Sequence, residues 1–337
     1  MGVFRGPHLL PFCVVKLTHL VSGFMSDKQA GQGANDRLHI SPHFLRRREI
    51  TNEVARYVLM AAAAVSVFVT IGIVYILLSE SLVFFETVSV WEFVSTTSWT
   101  PLFAEPTFGI WPLLSGTLVV SGIALAVAVP AGLVLAVYLS EFAPANVRET
   151  IKPILELLEG VPTVVYGFFA LLLVTPLLQI IFPQLPGFNM LAPGLVIGIM
   201  ILPYITSLSE DAMRAVPNGM REGAYALGYS KYHTAVRVVV PAAISGITAA
   251  CILAMSRAVG ETMVVAIAAG QMPNFTFNPM EGAATITTFI VQVTLGDARH
   301  GSIAYQSIFA AGLVLFLLTL LFNLIGFFLR RRFRQAY

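Results

Sequence analysis

The chain has 337 residues, 57% of them hydrophobic and only 11% charged, with a mean hydropathy of +0.81. A soluble globular domain carries about 25% charged residues, so this composition excludes an ordinary soluble fold and points to a membrane protein. The net charge of +2 says little alone, and the distant Cys13 and Cys251 support neither a disulfide framework nor a metal site.

The opening MGVFRGPHLLPFCVVKLTHLVSGF is interrupted by His8, Lys16 and His19 and has no small-residue cleavage site. Met25 is the expected true start, which a peptide mapped upstream of it would refute. Residues 1–54 are expected to form a polar N-terminal segment, and 55–330 a transmembrane domain. About 20 apolar residues cross the hydrocarbon. Six runs meet that length, at 56–79, 113–139, 154–182, 191–208, 241–269 and 302–329. Residues 80–111 carry Glu80, Glu86, Glu92 and Glu105 with Trp91, Trp99 and Trp111, and no Lys or Arg, as an external loop would. The TITTFIVQV run within 270–301 is too short to span, and a basic tail closes the chain over 331–337.

Of the 20 Lys and Arg, all but Arg257 and Arg299 fall on one side of this topology. The excess of positive charge on the cytoplasmic side then places both termini in the cytoplasm, which an even number of spans requires. Small residues in GTLVVSGIALAVAVPAG suit close helix packing. No G-x4-G-K-[ST] loop occurs, so this chain is not expected to bind ATP by that route, and no nucleophile–base pair suggests an enzyme.

A loop at 210–240 carries the most specific signal. Its PNGMREGAYALGYSKYHTAVRVVVP holds Arg221, Glu222, Lys231, His233 and Arg237 between two apolar runs. Pro217 suits a helix start and Gly228 a helix end, leaving a helix of about three turns. The spacing resembles the coupling loop of ABC importer permeases, E-A-A, three residues, G, nine residues, I-x-L-P. Here it reads Glu222-Gly223-Ala224, then Leu227 before Gly228, and finally Val238-Val239-Val240-Pro241. In that family the loop forms a helix that docks on a separate ATPase.

The segments WTPLFAEPTFGIWPLLSGT, ELLEGVPTVVYGFFALLL and MSRAVGETMVVAIAAG look like the PstC-type permease of the phosphate-specific ABC transporter. That resemblance implies an all-α type I permease fold with six spans in the inner (plasma) membrane. It implies a heterodimer with a PstA-type permease, a PstB-type ATPase dimer that binds ATP and Mg, and a PstS-type phosphate-binding protein outside. No cofactor of this subunit itself and no nucleic-acid partner is expected. An ABC permease for sulfate or molybdate, or a secondary phosphate carrier, is the alternative.

Arg257 and Glu261 lie four apart in SRAVGET and are expected to share one helix face. An arginine at mid-span costs roughly 2.5–3.5 kcal/mol, so it needs a reason. Its fork can meet a phosphate oxygen pair, or it can pair with Glu261 within the helix. A pathway carboxylate at Glu261 could accept a hydrogen bond from the proton that phosphate keeps and sulfate lacks. Glu156 and Glu159, three apart, are read either as charge in the first turn of the third span or as a gate or inter-subunit pair. Gly160 and Pro162 are expected to kink that span.

Overall fold

The computed structural model describes residues 42–333, apart from 104, 297 and 300. The expectations for residues 1–41 and 334–337, including the start at Met25, lie outside the described residues. Residues up to Ile71 form a unit of their own, and Gly72 onward a second. The first unit contributes the opening of α1, Pro42–Thr87, a 46-residue helix. Residues 42–54, expected to lie outside any span, are helical here, because Pro42 supplies a preset first-turn backbone and no breaker follows. An ion pair joins Arg56 to Glu53 on its surface.

The second unit is helical almost throughout. After α2 (Val90–Ser95) come α3 (Trp111–Val137), which ends in a π-helical stretch at Tyr138–Phe142, and α4 (Ala145–Glu159). Next are α5 (Thr163–Phe169), α6 (Thr175–Ile181) and α7 (Leu191–Arg214). The remainder comprises α8 (Asn218–Ala226), α9 (Lys231–Thr234), α10 (Val240–Ala242), α11 (Ile244–Val259), α12 (Met263–Ala268), α13 (Ile286–Leu295) and α14 (Ile303–Phe333).

Among the described residues five helical stretches are long and apolar enough to cross a membrane, and a bent pair, Lys231–Ala242 with Ile244–Val259, makes a sixth if counted as one span. The first expected span, 56–79, runs on as helix to Thr87, so Glu80 and Glu86 stand on α1 and not in a loop. Two further boundaries are corrected. The third span is Thr163–Ile181 rather than 154–182, because the chain breaks fully after Glu159. Pro162 lacks an amide donor and drives Val161 out of the helical region, so this is an interruption and not a kink. The fifth span is not 241–269: it starts at Lys231, bends by 70° next to Pro241 and stops at Val259. Proline there leaves one carbonyl without its helical donor, which lets the axis turn.

The core is built on α3 and α7. Val120, Ala124 and Ala128 meet Val196, Ile197, Met200, Ile201 and Ile205, with Ala254, Ala258, Val264 and Val265 behind them. Small residues let the two backbones approach. A side chain at Gly132 would stand 2.9 Å from Ile205 Cγ2, and one at Gly198 would stand 3.0 Å from the Ala124 carbonyl oxygen. The Thr206 hydroxyl adds a hydrogen bond of 3.3 Å to the Gly132 carbonyl. Packing of this kind replaces the hydrophobic drive that lipid removes.

A second core gathers at one end of the unit. Phe84, Phe93, Trp99, Phe108 and Phe289 are buried together, and Trp99 meets three of these rings edge-on at centroid distances of 5.0–6.0 Å. α13 is too short to span, as expected, and starts from a capping box between Thr285 and Thr288.

Candidate functional site

The opposite end of α3 and α7 carries the loop singled out above. α8 runs Asn218–Ala226 from an extended Pro217, and its last turn is closed at Gly228, whose φ is +82°. The Gly228 amide donates to Tyr225 O at 2.9 Å and the Tyr229 amide to Ala224 O at 3.1 Å. This paired closure needs a left-handed residue between them, which glycine supplies without strain.

The residues of the motif divide by face. Glu222, Gly223 and Leu227 are exposed, Leu227 by 80%, and Tyr225 and Tyr229 flank them. Ala224, by contrast, is buried to 6% exposure against the protein itself. Pro241 lies away from α8 in the chain, exposed and beside the 70° bend. The outward surface is therefore apolar and aromatic with one carboxylate.

Sequence reasoning missed what holds α8 in place. Arg221 Nη2 and Nε donate to the two oxygens of Glu141 at 2.9 and 3.3 Å. It also donates to Met213 O at 2.9 Å, Val216 O at 2.6 Å and Asn218 Oδ1 at 3.4 Å. The signal was a charge of each sign bordering apolar runs, with nothing in the sequence to say that they meet.

A second group lies close by in the chain. Lys152 of α4 donates to Glu210 at 2.9 Å and Asp211 at 2.6 Å on α7. Glu210 is buried, and its second oxygen has Arg214 at 3.6 Å, too far for a hydrogen bond. Burial by itself would lower the Lys152 pKa. Hydrogen bonds to Asp211 and Glu210, and their charge, outweigh it and hold the ammonium above its ordinary value.

Arg257 and Glu261 do not share a helix face. α11 ends at Val259, and Gly260 closes it, so the two side chains part. Glu261, nearly buried, turns Oε1 onto the amides of Met263 and Val264 at 3.2 and 3.4 Å, capping α12. Its carbonyl accepts from the Thr287 hydroxyl at 2.9 Å.

Arg257 instead reaches Glu159 at 3.9 Å and lies 5.5 Å from the centre of the Tyr204 ring. Glu159 is the last residue of α4, not part of a first turn, so its carboxylate opposes the local helix dipole and gains from the arginine. Glu156, one turn back, is exposed. At 3.9 Å the pair is not hydrogen-bonded, and both side chains are about a third exposed, at 36% and 33%. The guanidinium keeps donors to offer. Among the described residues no group of three His, Cys, Asp or Glu could hold a metal ion.

A family model, binding-protein-dependent transport system inner membrane component, matches residues 128–335. The chain belongs to this family. It is a multi-pass membrane component of an ABC transport system and not itself an enzyme. A probable ABC transporter permease protein, YqgH, of Bacillus subtilis is 33% identical over 86% of this chain and 91% of the relative. The phosphate transport system permease protein PstC of Mesorhizobium japonicum is 32% identical over 68% and 75%. That of Haemophilus influenzae is 32% identical over 68% and 77%. These relatives do not favour the sulfate, molybdate or secondary-carrier alternatives.

Among solved structures, a bacterial ABC transporter that imports alginate contains a chain with TM-score 0.59 and 16% identity, covering 85% of this chain and all of that one. A chain of the inward-facing MetNI methionine transporter gives TM-score 0.50 at 19% identity, over 67% and 95%. The fold is that of a type I ABC importer permease.

Proposed function

We propose that the chain is the permease subunit of an ATP-driven phosphate importer in the inner membrane. It pairs with a PstA-type permease, a PstB-type ATPase dimer and a PstS-type phosphate-binding protein. The observation that carries this reading is α8, a capped helix whose Glu222, Tyr225 and Leu227 face outward at the family's coupling spacing. A surface of that kind, apolar at its centre and free of its own chain, suits docking in a cleft of another subunit. Relatives named as phosphate permeases supply the substrate class.

In this mechanism both termini and α8 lie in the cytoplasm, and the loaded binding protein docks on the other side. ATP with Mg, held by the ATPase subunits, closes them, and their movement enters this chain at α8. The permease pair opens outward, takes up phosphate and is reset inward by hydrolysis.

Arg257 is the ion contact. Its planar fork matches two phosphate oxygens, and Glu159 at 3.9 Å balances its charge while the path is empty. Glu159 thereby acts as a gate on the arginine, and the exposed Glu156 extends that acidic edge. Glu261 serves the path less directly, by fixing the turn between α11 and α12.

The test is uptake of labelled phosphate into vesicles holding this chain, its partner permease and the ATPase. ATP is sealed inside and binding protein added outside. Uptake requires both and falls at least tenfold, by about 1.4 kcal/mol or more of ion contact, in Arg257→Gln. Normal uptake in that variant removes the arginine from the path. Uptake driven by an ion gradient without ATP overturns the reading as a whole.

A further inference from the structure

α8 touches the rest of the chain in two ways. Met220 packs on an apolar cluster of Ala136, Met213, Val216 and Val239, and Ala224 is buried beside the body. Such contacts are non-directional, and a helix held only by them can slide or roll when pushed. The other attachment is the Arg221 side chain, and it is directional.

Arg221 and Glu141 are 15% and 5% exposed, and Nε and Nη2 grip the two carboxylate oxygens as a fork. Glu141 lies in the π-helical stretch that ends α3, and its Oε1 also accepts from Ser140 Oγ at 3.0 Å. Nη2 donates to Met213 O, one of the last carbonyls of α7, which also accepts from the Val216 amide at 3.2 Å. Nη1 fastens to Val216 O in the α7–α8 turn and reaches Asn218 Oδ1 at 3.4 Å. One planar side chain on α8 thus grips the ends of both α3 and α7. Those two helices are themselves locked where Gly132 meets Ile205.

We propose that Arg221 is the positioning residue that turns displacement of α8 into joint movement of α3 and α7, with Glu141 as its anchor. This deepens the importer reading and rests on it. The outward face of α8 docks the ATPase, and the Arg221 fork passes the resulting push to the two helices at the core of the spans. Without the fork, α8 moves while the spans lag, so ATP is hydrolysed without import.

The experiment compares the reconstituted full transporter with Arg221→Gln and Glu141→Gln, measuring phosphate imported per ATP hydrolysed. Both changes leave Glu222, Tyr225 and Leu227 in place. Both variants are expected to assemble and to hydrolyse ATP while uptake per ATP falls by about tenfold, within the usual span of coupling free energies. Arg221→Lys, which keeps charge but not the fork, should recover only part of the ratio. A wild-type ratio in Glu141→Gln overturns the proposal. So does loss of assembly in both glutamine variants, since the pair would then hold the fold rather than pass movement. A wild-type transporter with no ATP-dependent uptake would fault the importer reading instead.

Discussion

The two ends of the helical body are held together by different physics. At one end Trp99, Phe84, Phe93, Phe108 and Phe289 form a buried aromatic cluster, and no ion pair joins the described residues of 80–110 and 270–299. At the other, Arg221 grips Glu141, and Lys152 grips Glu210 and Asp211, around an exposed short helix. Edge-to-face aromatic packing buries large apolar area without donor–acceptor pairs, so it suits an end whose task is to hold its own fold. Charge-assisted bonds are fixed in direction, so they suit an end that must receive a push and pass it on. The contrast teaches where rigidity serves stability and where it serves transmission.

The sharpest way to break this contrast is at Trp99. Trp99→Ala should cost about 3–5 kcal/mol of stability, read as a fall in the unfolding temperature of the purified protein. Trp99→Phe should cost far less, because the buried indole N–H has no hydrogen-bond partner to lose. Neither change should alter phosphate imported per ATP in molecules that remain folded. A drop in that ratio would mean that the aromatic end also transmits.

The charged end answers differently. Lys152→Met should cost about 3 kcal/mol, because it leaves the buried Glu210 without its hydrogen-bonded cation. Adding Glu210→Leu should restore most of that loss, since an apolar pair of similar size fills the same space. If the double variant is no better than the single one, the group is not acting as an ion pair. The same unfolding measurement reads both.

The short helix α8 was legible in the sequence because its determinants are local. Pro217, the E-G-A triplet and Gly228 each act within a turn or two, and α8 closes where the glycine stands. The spans were legible as apolar runs: among the described residues five return as single helical stretches and the fifth expected run returns within a bent pair, although the boundaries of the third and fifth moved most. They moved because a run of hydropathy does not register direction. Residues 145–159 are amphipathic and merge into the apolar run that follows, hiding the break at Pro162. The bend beside Pro241 was hidden in the same way.

The ion pairs were not legible. Arg257 stands four residues from Glu261, and local spacing favoured that partner, yet helix termination at Gly260 sent the arginine to Glu159. Arg221 and Glu141 are separated in the chain by four helices, α4 to α7. Only the packing of α3 on α7 brings such partners together, and no periodicity encodes it.

The central claim is that the two ends face opposite sides of the membrane and that α8 meets the ATPase. Single cysteines at Leu227 and Phe277, both exposed at 80% and 61%, test it in a background lacking Cys13 and Cys251. In oriented vesicles a membrane-impermeant thiol reagent should label Leu227→Cys only from the cytoplasmic side and Phe277→Cys only from the other. Adding the ATPase should protect Leu227→Cys and leave Phe277→Cys unchanged. Labelling of Leu227→Cys from outside, or with no protection by the ATPase, would contradict the account.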